Sequence, residues 1–183
     1  MHLLTDELDL ISRLQDSATK ETAFRELLSL HKERLYWHIR KIVINHDDSD
    51  DVLQNTFIKV FRSIDKFKGD SKLYSWMYRI ATNESITHIN KNAKRLKISN
   101  EEVQNNAINN LKADVYFEGD KIQIKLQKAI ATLPQKQQLV FNMRYFDDMK
   151  YKDIAEVLET SEGALKASYH IAAKKIETFL TSD

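Results

Sequence analysis

Apolar residues recur at three- and four-residue spacing along most of this chain, the pattern of helices that bury one face. Leu8, Ile11 and Leu14 mark a short amphipathic helix over residues 6–17. A longer one over 20–44 carries Phe24, Leu27, Leu28, Leu35, Ile39 and Ile42. The next, from about Asp48 to Ile64, puts Val52, Leu53, Phe57, Val60, Phe61 and Ile64 on one side. Its other side shows Asp51, Gln54, Asn55, Ile58, Lys59 and Arg62. A loop over 65–71 then leads to a cap at Asp70 or Ser71 and a fourth helix reaching about Lys94. Trp76, Ile80, Asn83 and Thr87 share roughly one stripe of that helix.

Periodicity is lost between 96 and 120, where Asn100, Asn105, Asn106, Asn109 and Asn110 crowd together. This stretch reads as a linker able to hold short helical turns, and it divides the chain into two helical domains, 1–95 and 121–183. The second begins with a helix carrying Ile122, Ile124, Leu126, Ile130 and Leu133. Pro134 suits the start of the next helix, over 135–145, because its missing N–H is no loss there. After a turn at 146–149, Tyr151, Ile154, Ala155 and Leu158 fall at i, i+3, i+4 and i+7. Glu159, Thr160 and Ser161 break the pattern, and a last helix runs from Glu162 to about Leu180. Two helices joined by a three-residue turn form the helix-turn-helix pattern. In the last helix Leu165, Tyr169, Ala172, Ile176 and Phe179 make the inner stripe, while Gly163, Lys166, Ala167, His170 and Lys174 point outward. Small residues mixed with Lys and His suit close entry into a major groove.

Composition narrows the class. With Gly 3 and Pro 1 in 183 residues, turn-rich all-β folds and glycine-rich phosphate cradles are excluded, so we expect an all-α protein. Cysteine is absent, which removes disulfides, thiolate metal sites and thiol nucleophiles and fits a reducing compartment. The start of the chain is acidic rather than basic, and no apolar run approaches membrane-spanning length, so we expect a cytoplasmic protein without membrane insertion. Net charge is only +1, which argues against holding DNA by bulk electrostatics. The charge is uneven, however. Arg79, Lys91, Lys94, Arg95 and Lys97 face only Glu84 within residues 79–97. Across 98–120 the balance reverses, with Glu101, Glu102, Asp114, Glu118 and Asp120 against Lys112. A basic face beside an acidic tether fits a shielded DNA contact.

Chemistry-bearing clusters are few. The acidic run at 46–51 fails as a calcium loop, since the required Gly and Glu positions hold Val52 and Ile58. Acids gathered at a helix start, where the dipole is positive, explain it more simply. His31 and His38, seven apart, read as ordinary surface or half-buried histidines rather than metal ligands. We expect no catalysis and no cofactor. Most polar outer faces are solvated, but Ile58 set among amides and charges also fits a partner surface. A Trp on a helical stripe is usually core; Asn83 on that stripe, near Phe67, also fits a pocket edge for a planar base.

These residues resemble the extracytoplasmic-function (ECF) group of bacterial RNA polymerase sigma factors, from about residue 5 to the C-terminus. Asp48-x-x-Asp51-x-x-Gln54-x-x-Phe57 is similar to the family's D-x-x-D-x-x-Q-E-x-F segment, with Asn55 where glutamate is usual. Phe67-x-Gly69-Asp70-Ser71, followed by Trp76-Met77-x-x-Ile80-Ala81-x-Asn83, resembles the family's F-x-G-[DE]-S and W-L-x-x-I-A-x-N. Leu133-Pro134, Tyr151-x-x-Ile154-Ala155-x-x-Leu158 and Gly163-Ala164-Leu165-Lys166-Ala167 resemble its −35-binding module. Ser168 and Ala173 stand where arginines are common.

The resemblance implies a non-catalytic initiation factor. Asp48, Asp51, Gln54, Asn55, Ile58 and Arg62 would contact core RNA polymerase. Phe67, Asp70, Ser71, Trp76 and Asn83 would meet the melted −10 element and a flipped base, with His88, Lys91, Lys94 and Arg95 near its phosphates. Ser161, Gly163, Lys166, Ala167, Ser168, His170 and Lys174 would read the −35 duplex. Partners would be core polymerase, promoter DNA and, as for many members, an anti-sigma factor. The acidic linker would enter the polymerase cleft. A stand-alone helix-turn-helix regulator is the competing reading, with near-neutral net charge against it.

Overall fold

The computed structural model describes residues 2–111 and 121–181, with side chains of the first helix from residue 6 onward. In chain order these form α1 (His2–Gln15), α2 (Lys20–Val43), α3 (His46–Ser63), a 3-10 turn (Ile64–Lys66), α4 (Leu73–Leu96), α5 (Asn100–Asn109), α6 (Lys121–Ala131), α7 (Gln135–Tyr145), α8 (Tyr151–Leu158) and α9 (Glu162–Thr181). The all-α expectation holds, and every helix read from periodicity is present. Asp114, Glu118 and Asp120 of the expected acidic linker lie outside the described residues.

The helix starts show what the pattern could and could not convey. Asn45, not an acid or serine, caps α3: its side chain accepts from the Asp48 N–H at 2.9 Å. Asp47 and Asp48 then occupy the first turn, where the dipole favours carboxylates. Neither Asp70 nor Ser71 caps α4, whose N-cap residue is Lys72, which makes no side-chain capping bond. Instead the Glu7 carboxylate of α1 accepts from the Leu73 N–H at 2.8 Å, a cap delivered by tertiary packing. The segment expected as a linker contains α5, which opens on a capping box: Ser99 accepts from the Glu102 N–H at 3.1 Å and Glu102 accepts from the Ser99 N–H at 2.7 Å. Two reciprocal bonds at the N-terminus offset a helix body too polar to show a clear stripe.

Most of the helices share one core. α2 packs against both α3 and α4, with Leu27, Leu35, Ile39, Val60, Met77 and Tyr78 all buried. Phe24 meets Phe57 and Phe61 edge-on, at 6.2 and 4.9 Å between ring centres. Val140, Met143, Met149, Ile154, Val157 and Leu165 from the C-terminal helices belong to the same cluster, so the seam between the two groups of helices is itself apolar. α6, α7 and α9 add a smaller cluster around Ile130, Leu133, Phe141, Ala172 and Ile176. α5 lies against α4 and α6, and its end sets Ile108 and Leu111 against Ile44 and Ala131. Residues of both expected domains thus contribute to one apolar cluster.

Candidate nucleic-acid and partner interfaces

Three helical faces carry the predicted residues. On α3, Asp51, Gln54, Asn55, Ile58, Lys59 and Arg62 are all exposed. Ile58 retains 46% of its surface, a large apolar side chain in a polar frame. Asp48 is half-buried. Its Oδ1 lies 3.3 Å from His88 Nε2, so two residues expected on separate surfaces are brought together, joining α3 to α4. The His88 hydrogen bond, against the opposing effect of burial, holds the Asp48 carboxyl below the usual carboxylate range.

On α4, Asn83, Thr87, Lys91, Lys94 and Arg95 are exposed. Phe67 is not: at 7% exposure it belongs to the core, its ring 5.2 Å from that of Trp76. The Phe67 carbonyl accepts from the Gln15 side chain at 2.8 Å, which ties the loop to α1. Trp76 is half-buried, with its inner side on the main core. The ring pair and Asn83 therefore sit apart, Asn83 being seven residues, about 10 Å, further along the helix than Trp76. Asp70 is exposed and Ser71 half-buried, beside Gly69 at φ +77. This left-handed backbone explains why a glycine stands there.

The helix-turn-helix is formed by α8 and α9. Glu159 adopts a left-handed φ of 50 to turn the chain, and Ser161 Oγ accepts from the Ala164 N–H at 3.4 Å as α9 begins. Leu165, Ala172 and Ile176 are buried, as the spacing predicts. Ser161, Gly163, Lys166, Ala167, His170 and Lys174 are exposed together, whereas Ser168 turns partly inward. Lys166 also lies 5.7 Å from the centre of the Tyr151 ring, which holds its ammonium over α8.

Polar contacts line the seam between the helix groups, and periodicity gave no hint of them. Asp147, from the α7–α8 turn, accepts from Lys41 and lies 3.0 Å from His38 Nδ1. The other ring nitrogen of His38 is 2.9 Å from Thr82 Oγ1. Burial would raise the Asp147 carboxyl, but the His38 bond and the Lys41 charge outweigh it and hold it below the usual range. Lys72 Nζ meets Asp153 Oδ1 at 2.8 Å, and Arg79 meets Glu159 Oε1 at 2.8 Å. The Asp153 carboxyl is likewise held low, Lys72 and Tyr74 prevailing over burial. Asn142 Nδ2 donates to the Lys41 carbonyl at 3.3 Å, while its Oδ1 is buried without a partner. A sequence signal for Lys72 exists in hindsight: it precedes Trp76 by four residues and Asn83 by eleven, and so continues their stripe.

Among the described residues no cluster of three or more His, Asp or Glu is placed to hold a metal ion, and no helix is long and apolar enough to cross a membrane.

The sigma-70 region 2 family model matches residues 27–95, and the sigma-70 region 4 family model matches residues 123–176. The chain is 29% identical over 182 residues to the ECF RNA polymerase sigma-E factor of Haemophilus influenzae, covering 95% of this chain and 94% of that protein. It superposes on CnrH, solved in complex with the cytosolic domain of CnrY, with a TM-score of 0.70 at 21% identity over 97% of this chain and 98% of that one. The sigma factor RpoE of Bartonella quintana, solved with the anti-sigma factor NepR, gives a TM-score of 0.65 at 19% identity over 87% of this chain and 98% of that one. These two are likenesses of fold. An all-helical chain with an exposed helix-turn-helix and both regions in this order has the make-up of a transcription initiation factor. The chain belongs to the sigma-70 family of RNA polymerase sigma factors, in its ECF group.

Proposed function

We propose that this sigma factor docks on core RNA polymerase through the exposed face of α3 and directs promoter-specific initiation with two DNA-reading surfaces. Asp51, Gln54, Asn55, Ile58 and Arg62 form the docking face. The stripe of α4 around Asn83 takes an unstacked base of the −10 element, with Lys91, Lys94 and Arg95 on nearby phosphates. α9 enters the −35 major groove through Gly163, Lys166, Ala167, His170 and Lys174. The observation that carries this reading is the exposure of all three faces on one chain. Residues 1–95 and 121–183 act as separate modules on DNA, with 96–120 as the tether. Asp48 and His88 support the reading indirectly, by fixing the docking helix to the base-reading helix. Phe67 and Trp76 buttress the loop at 67–71, and any direct base contact by Phe67 requires that loop to move. Two proteins of the same fold were captured with CnrY and with the anti-sigma factor NepR, which supports an anti-sigma partner for this chain as well. The phosphoryl chemistry of transcription is left to the polymerase.

A reconstituted run-off assay with core polymerase and a genomic promoter library tests the proposal. Promoter-dependent transcripts are expected only when the chain and core are both present. Asn83→Ala should impair promoter opening while leaving core binding intact in a pull-down. Loss of core binding in that variant would overturn the assignment of α4. Asp51→Ala with Gln54→Ala should weaken core binding first. A stand-alone regulator would instead bind duplex DNA tightly without core, a reading favoured only by the open face of α9.

A further inference from the structure

Lys72 and Arg79 lie outside every role given above, yet their positions are suggestive. Both share the stripe of α4 that bears Trp76 and Asn83, at offsets of zero, four, seven and eleven residues. Both are engaged by carboxylates of the C-terminal helices: Lys72 by Asp153, Arg79 by Glu159. Their side chains nevertheless keep 48% and 36% of their surface, so neither cation is sealed in. Asp153 stands in the first turn of α8 and Glu159 in the turn before α9. Neither acid is on the outward face of α9, which stays exposed while the other side of its module rests on α4.

We propose that Lys72 and Arg79 are backbone contacts for single-stranded promoter DNA, and that Asp153 and Glu159 occupy them as phosphate substitutes while the helix groups are packed together. This rests on the −10 reading of α4 given above. A carboxylate and a phosphate oxygen present the same acceptor to an ammonium or guanidinium group, so the two occupants exclude each other. When the C-terminal helices part from α4, the base-reading position gains cations on both sides. Lys72 and Arg79 then precede Asn83, as Lys91, Lys94 and Arg95 follow it. The closed chain thus withholds two of its five strand-binding cations.

The test uses the full chain without polymerase and a fluorescein-labelled 20-nucleotide single-stranded DNA of mixed sequence, read by anisotropy. Glu159→Gln, in an exposed turn, and the pair Asp153→Asn with Glu159→Gln should each raise affinity, the pair by about fivefold. Adding Lys72→Gln and Arg79→Gln to that pair should abolish the gain and flatten the slope of log affinity against log salt by about 1.4. Glu159→Gln separates the effect from any disturbance of α8 at Asp153. The proposal is overturned if neither release variant binds more tightly, or if the gain survives loss of both cations. In parallel, run-off transcription with core polymerase keeps the two readings distinct. Promoter-dependent transcript with unchanged oligonucleotide affinities sinks only the substitute-phosphate idea, whereas no transcript sinks the reading on which it rests.

Discussion

Asp147→Asn isolates the polar contacts that line the seam with the smallest change of shape. The native carboxylate is 4% exposed and serves Lys41 and His38 together. Both partners belong to α2, so the substitution cuts the charge link between the α7–α8 turn and the N-terminal helices. Removing one member of a buried charged cluster costs about 3–5 kcal/mol, because the remaining charge loses its compensation. Asparagine keeps an acceptor, so the lower end, about 3 kcal/mol, is expected. With a urea slope of about 2 kcal/mol per molar, the unfolding midpoint should fall by about 1.5 M at pH 7. The continuous core predicts that tryptophan fluorescence and far-UV dichroism report one transition. Asp148→Asn is the control: that side chain is 92% exposed and paired with Arg144, and asparagine tolerates its left-handed φ of 48. Its midpoint should move by less than about 0.3 M. The pH dependence has a definite sign. The folded Asp147 carboxyl titrates below its ordinary value, so its contribution is present above the unfolded value of about 4 and fades as pH falls through the folded one. The gap between native and Asp147→Asn should therefore close below about pH 4. Equal midpoints for the two variants at pH 7 would refute the reasoning.

Two smaller perturbations test local features. Gly69→Ala places a Cβ where nothing lies within 4 Å but φ is +77, so its cost is backbone alone, about 1–2 kcal/mol, read from the urea midpoint; no loss would contradict the left-handed turn. Ser99→Ala removes half of the α5 capping box, worth about 1 kcal/mol. Amide exchange in the first turn of α5 should quicken about fivefold while α3 is unaffected, and unchanged protection would show that packing alone holds α5.

How far the molecule was legible in its sequence depended on whether a feature is local. The helices with clear stripes were readable because burial of one face repeats every turn, as at Leu165, Ala172 and Ile176. α5 was not, because its stability comes from two capping bonds and from wedging Gln104 and Ile108 between the helix groups. Gln104 donates to the Ile42 carbonyl at 3.3 Å and to Gln138 at 3.0 Å, partners 62 and 34 residues away. Among the predicted site residues, outward positions such as Asn55, Arg62 and Lys174 followed from helical phase. The inward turn of Phe67 and the pairing of Asp48 with His88 depended on neighbours that no spacing rule supplies. Asp147 was readable as part of a turn, but its reach to α2, 109 residues away, is a property of the packed chain.

The joint between α2 and α3 is only two residues long, Ile44 and Asn45. Ile44 holds φ 73 and ψ −42, a backbone region that a β-branched residue occupies only under strain of about 1–3 kcal/mol. The Asn45 N–H closes the turn on the Val43 carbonyl at 2.9 Å, and the Ile44 side chain is buried against Ile108, Leu111 and Ala131. All three of those neighbours come from beyond residue 100, so the later part of the chain keeps this sharp bend in place. The orientation of α3 and the seating of α5 are consequently one equilibrium seen from two ends. Any partner that re-aims α3 loosens α5 by the same free energy that loosening α5 would lend to re-aiming α3.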